Sequence, residues 1–71
     1  MDYIGVTSSN LSAIAYDIQN HVLGIRFNNG HEYHYHGVPQ DVFDGFASAP
    51  SVGKYFDQYV KKAGYPYQQV G

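Results

Sequence analysis

Three of the four histidines fall in one short run, His31-x-x-His34-x-His36. Neutral imidazoles are good ligands for zinc or nickel, so the run invites a metal-binding reading. The alternation around it makes the segment a strand. On a strand, His34 and His36 project from one face and His31 from the other. Only two histidines converge, with Glu32 beside them. That set lacks the closed ligand shell of a structural zinc site. No metal or cofactor is expected here. The same strand carries Tyr33-x-Tyr35, a pair that could stack on nucleobases as aromatics do on the sheets of RNA-binding modules.

Two further groups suit an anion. Arg26 sits on the preceding strand, and cross-strand pairing is expected to bring it near His34, on a face that also carries His36 and, against them, Glu32 and Asp17. This patch becomes more cationic below pH about 6.5, the unperturbed histidine value. The second group is Ser51-Val-Gly-Lys54. The first turn of a helix carries free N–H groups and partial positive charge, Gly53 permits close approach, and Lys54 adds a cation. It is not a P-loop, because the upstream glycine is missing. Ser8-Ser9-Asn10 reads as a turn, since a hydroxyl nucleophile would need a positioned base. Nothing forms a nucleophile, base and oxyanion set by spacing, so a non-catalytic role is expected.

The elements that must position these residues follow from period. Ser12-Ala-Ile-Ala-Tyr-Asp-Ile18 puts Ile14, Tyr16 and Ile18 on one face. Leu23, Ile25 and Phe27 repeat the pattern, and Tyr33 and Tyr35 repeat it again. A three-residue loop, Asn28-Asn29-Gly30, with the glycine left-handed, sets Ile25 opposite Tyr33 and Leu23 opposite Tyr35. It also sets Phe27 opposite His31 and keeps one face apolar. Both tyrosines then point to the core rather than to a ligand.

Val38-Pro39 opens a first helix with Pro at its first position, and Val42, Phe43 and Phe46 form its stripe. Gly45 lies inside it, and Ala49-Pro50 ends it. Ser51 caps a second helix. Val52, Tyr55, Phe56, Tyr59 and Val60 form its buried face, and Gly64 stops it. The fold class expected is α+β: a three-stranded antiparallel meander followed by two helices on one face, β-β-β-α-α. Residues 1–9 read as a lead-in and residues 64–71 as an extended tail.

Composition sets the outer limits. The chain has 71 residues, eight Tyr, four Phe and no Cys. Residues 1–71 are read as a single domain. A domain this small needs a core dense in large side chains, and the aromatics supply it. With no cysteine there is neither a disulfide nor thiolate ligation. No basic region precedes an apolar run at the N-terminus, and no apolar run could span a bilayer, so a cytoplasmic location without membrane contact is expected. The net charge of −2 argues against a generic polyanion binder and leaves room for a local basic patch.

The ordered series Val6-x-Ser8-Ser9-Asn10-Leu11, Tyr16-Asp17, Leu23-x-Ile25-x-Phe27-x-x-Gly30-x-x-Tyr33-x-Tyr35, Val38-Pro39 and Ala49-x-Ser51-x-Gly53-x-Tyr55-Phe56 resembles the KTSC domain. That family is named for the C-terminus of some lysyl-tRNA synthetases and also occurs as small stand-alone proteins of bacteria and phages. The resemblance implies a stand-alone domain and RNA binding, and it brings no catalytic residues. The expectation is a small binding module for RNA or other nucleic acid, with Arg26, His34, His36, Ser51, Gly53 and Lys54 as its contact residues. The alternative is a protein–protein interaction or accessory module. The open edges of the meander could also pair two copies into a homodimer.

Overall fold

The computed structural model describes residues 1–71. Five strands form one antiparallel sheet in chain order. They are β1 (Ile4–Gly5), β2 (Leu11–Asp17), β3 (Val22–Phe27), β4 (Glu32–His36) and β5 (Tyr67–Gln69). Between β4 and β5 come α1 (Gln40–Asp44), a 3₁₀ turn (Gly45–Ser48), α2 (Val52–Phe56) and a π turn (Asp57–Lys61) that continues α2. The α+β class and the central meander stand, but the sheet has five strands rather than three. The lead-in and the tail supply the two others. They pair with the outer strands of the meander, β1 at Ala13 and Ile14 of β2 and β5 at Tyr33–Tyr35 of β4, so β1 and β5 form the sheet edges.

The hairpin between β3 and β4 has the expected register. Leu23 pairs with Tyr35 and Ile25 with Tyr33. The Phe27 N–H donates to the His31 carbonyl at 2.8 Å, and Gly30 takes φ 91°. The Asp17 side chain organises the turn before β3. The Asp17 carboxylate accepts from the Gln19 and Asn20 N–H groups, at 3.1 and 3.2 Å, and His21 takes φ 55°. Ile18 lies in this turn and is exposed, not on the core face.

An irregularity in β2 changes its register between Leu11 and Ala13. Leu11 pairs with Phe27 while Ile14 pairs with Ile25, so both point to the helices. Strict alternation from Ile14 would have put Leu11 on the other face. Ser12 occupies the extra position, and its hydroxyl donates to the Arg26 carbonyl at 3.2 Å.

The core lies between the sheet and the helical segment. It joins Leu11, Ile14, Leu23, Ile25 and Tyr35 of the sheet to Val38, Phe46, Phe56 and Val60. Truncating a fully buried aliphatic such as Leu23 removes about 2–5 kcal/mol in cores of this kind. Pro39 is the cap of α1, with ψ 150°, so the helix begins one residue later than expected. The Ser51 hydroxyl caps α2 as expected, accepting from the Lys54 N–H at 3.3 Å. No helix is long and apolar enough to cross a membrane.

Candidate functional site

The helical segment does not cover the whole inner face of the sheet. Near β4 and β5 it leaves an open groove of about 1020 Å³. Its floor is aromatic. Phe27, Tyr33, Tyr35 and Tyr67 come from the sheet and Phe56 from α2. Pairing of Tyr35 with Tyr67 across β4 and β5 brings the rings together. Their centroids are 5.3 Å apart, and Tyr67 lies 5.9 Å from Tyr33. Phe56 meets Tyr35 and Phe27 edge-on at 5.7 and 5.5 Å, geometries that aromatic quadrupoles favour. Tyr35 is buried, and burial with the nearby Tyr67 and Tyr33 pushes its phenol up to about 12. Tyr67 is 62% exposed.

The helical wall of the groove is cationic. Lys54, Lys61 and Lys62 line it, three of the four Lys and Arg residues in the chain. Asp57 is the single acid among the lining residues, and it pairs with Lys62 at 3.5 Å. With three lysines and one aspartate the lining carries +2. The remainder of the chain, whose total is −2, therefore carries −4. His31 also lines the groove, its Nδ1 2.6 Å from the Gln69 amide nitrogen. Asn10 and Gln58 add polar side chains.

The six expected contact residues do not share one surface. Ser51, Gly53 and Lys54 line the groove, whereas Arg26, His34 and His36 do not. Pairing puts Arg26 opposite Glu32, Gly24 opposite His34 and Val22 opposite His36, on the outer face. The Arg26 guanidinium lies 3.8 Å from the Tyr3 ring centroid and donates from Nε to Glu32 at 3.2 Å. His34 Nε2 is 3.6 Å from the same carboxylate. Arg26 and His34 therefore meet through an acid rather than as a bare cationic pair. The Tyr3 hydroxyl donates to Glu32 at 2.7 Å and, with Arg26, holds that carboxyl below the usual range. Burial, and then this carboxylate, push the Tyr3 phenol up.

The helix-terminus reading of Ser51-Val-Gly-Lys54 also changes. The Ser51 hydroxyl is already committed to the Lys54 N–H, and the α-helical part of this run has only five residues. A short helix adds a weak dipole. What remains is Lys54 as a charge beside an aromatic floor. Tyr33 and Tyr35 face inward as expected, but incomplete helical cover leaves Tyr33 half-buried at the groove.

Lys61, Lys62, His31 and Tyr67 did not figure among the expected contacts. One signal for the lysine wall was present: Lys54, Asp57, Gln58 and Lys61 recur at i, i+3, i+4 and i+7, a polar stripe beside the apolar one. Tyr67 had no such signal.

The KTSC domain family model matches residues 7–65, which is most of the chain. The chain belongs to the KTSC domain family. The crystal structure of a KTSC domain protein from Yersinia pestis superposes with a TM-score of 0.87 at 37% identity, covering 99% of this chain and 97% of that one. An uncharacterized protein of Stutzerimonas stutzeri is 31% identical over 70 residues, 99% of each chain. A protein of Tsukamurella paurometabola is 39% identical over 56 residues, 79% of this chain and 84% of its own. The match ends at residue 65, so Tyr67 lies just beyond the KTSC segment while Lys54, Lys61 and Lys62 lie within it.

Proposed function

We propose that this KTSC domain is a non-catalytic nucleic-acid-binding module, with RNA as its ligand and the groove between α2 and β5 as its contact surface. The observation that carries the reading is the concentration of three of four cationic side chains in one groove with an aromatic floor. A chain of net charge −2 has no general attraction for phosphate. A local surface of opposite sign gives orientation to an encounter with a polyanion. Lys54, Lys61 and Lys62 are the phosphate contacts, beside Ser51 and Gly53. Arg26, His34 and His36 lie outside this groove.

The test is a salt series. Each phosphate contact releases counterions, so log K falls with log salt by about 0.7 per contact for single strands and about 0.9 for B-DNA. Three lysines cap the slope at about 2.1 and 2.7 respectively. Binding of an unstructured RNA oligomer is measured by anisotropy from low to physiological salt. The expected result is a slope near 2 that declines stepwise as Lys54, Lys61 and Lys62 are changed to Ala. No shift in anisotropy or amide resonances at low salt sinks the proposal. So does a host protein that stays bound after nuclease treatment when no nucleic acid binds.

A further inference from the structure

We infer that the groove takes a single strand with unpaired bases, and that Tyr67 is the ring on which a base stacks. This rests on the nucleic-acid reading above and narrows it to a class of ligand.

Tyr67 has the largest exposed fraction among the exposed apolar side chains, at 62%. Its position is nonetheless held. Its backbone pairs with Tyr35 in the sheet, and its ring lies 5.3 Å from the Tyr35 ring at an interplanar angle of 34°. Tyr33 sits 5.9 Å away on the same floor. An aromatic side chain fixed by packing but open to solvent loses little further conformational freedom when a planar group covers it.

The ligand chemistry follows from what a duplex and a single strand present. In a duplex the flat faces of the bases are already stacked on one another, and only their edges and the phosphates reach a protein. An exposed ring gains nothing from such a surface. An unpaired base offers its face, and stacking on an aromatic side chain tolerates any sequence. The two sides of the groove suit the two parts of a nucleotide. Tyr67 and Tyr33 lie on the sheet side for the base, and Lys54 and Lys61 lie on the helix side for the phosphates. A positively charged groove with a stacking floor is the general device for holding single strands.

The experiment uses the full chain and four probes: an unstructured RNA oligomer, a DNA oligomer of the same length, the duplex of the RNA with its complement, and an abasic strand. Wild type is compared with Tyr67→Ala and Tyr67→Phe. Amide spectra confirm that each variant keeps the fold. The expected result is that both single strands bind more tightly than the duplex. Tyr67→Ala should weaken single-strand binding roughly 5- to 150-fold, the range that one stacked base supplies. It should leave the duplex and abasic strand unchanged, and Tyr67→Phe should restore binding to within about twofold of wild type. Equal affinity for the duplex, equal loss on the abasic strand, or no loss with Tyr67→Ala overturns the inference. If duplex binding persists and depends on the lysines, the nucleic-acid reading survives without it. If no probe binds at low salt, both fall together.

Discussion

His21 is the only residue other than glycine with a positive φ, at 55°. A side chain in this region crowds the following carbonyl and costs roughly 1–2 kcal/mol. The surroundings hold it there. Asp17 fixes the preceding turn, and the His21 carbonyl accepts from the Val38 N–H at 3.0 Å. The side chain itself is exposed, so nothing in the core depends on imidazole. His21→Gly should therefore stabilise the domain. Glycine loses more freedom on folding, which offsets about 0.5–1 kcal/mol of the gain. The net expectation is an increase of up to about 1.5 kcal/mol, a rise in Tm of roughly 4–8 °C per kcal/mol for a chain of this size. A thermal melt decides it. A lower Tm would mean that the histidine ring makes a contact worth more than the backbone strain.

At the scale of elements, the junction between α1 and the 3₁₀ turn depends on Gly45. Helix propensity alone says that Ala would gain about 1 kcal/mol at this position. The packing says the opposite. A Cβ there would overlap the Tyr55 phenol. Tyr55 cannot easily withdraw, since its hydroxyl donates to the Val42 carbonyl at 2.6 Å and its ring packs 4.6 Å from Phe46. Gly45→Ala should destabilise by about 1–3 kcal/mol, the usual result of overpacking. The loss should shrink in a Tyr55→Leu background, where urea unfolding would reveal the coupling. Additive losses would show that the two residues do not compete for space. The same junction shows where sequence reasoning ends. Gly45 was visible as an interruption, but the ring that requires it belongs to another helix. The β3–β4 register was legible because the turn glycine and the aromatic period agreed. Strands β1 and β5 were not, because two and three residues carry no period of their own and pair only after the meander exists. Leu11 escaped for a local reason, the irregularity at Ser12 that reverses its face. The groove was half legible: the lysine stripe is a helical spacing, whereas Tyr67 reaches it through β5.

At the scale of the whole molecule, the perturbed titrations all favour the folded state near neutral pH. Asp17 is held below the usual carboxylate range by hydrogen bonds from Asn20, and Glu32 by the Tyr3 hydroxyl and Arg26. The phenols of Tyr3, Tyr16, Tyr35 and Tyr55 are all raised, in each case chiefly by burial. A carboxylate with a depressed folded value adds stability above its unfolded value, near pH 4, and loses it as the pH falls through the folded value. A phenol with a raised folded value adds stability below its unfolded value, near pH 10, and loses it as the pH rises. The domain should thus be most stable across a plateau from about pH 5 to 9. The alkaline side gives the sharper test, because Tyr35 is buried and its folded value is about 12. Between pH 10 and 12 the unfolded chain has released this proton and the folded one has not. Unfolding free energy should then fall by up to roughly 1.4 kcal/mol per pH unit for each such phenol. In Tyr35→Phe this residue no longer titrates, so the decline above pH 10 should be shallower by about one phenol's share. Urea midpoints measured from neutral pH upward give both slopes. Equal slopes for the variant and wild type would show that Tyr35 ionises alike in the folded and unfolded chains.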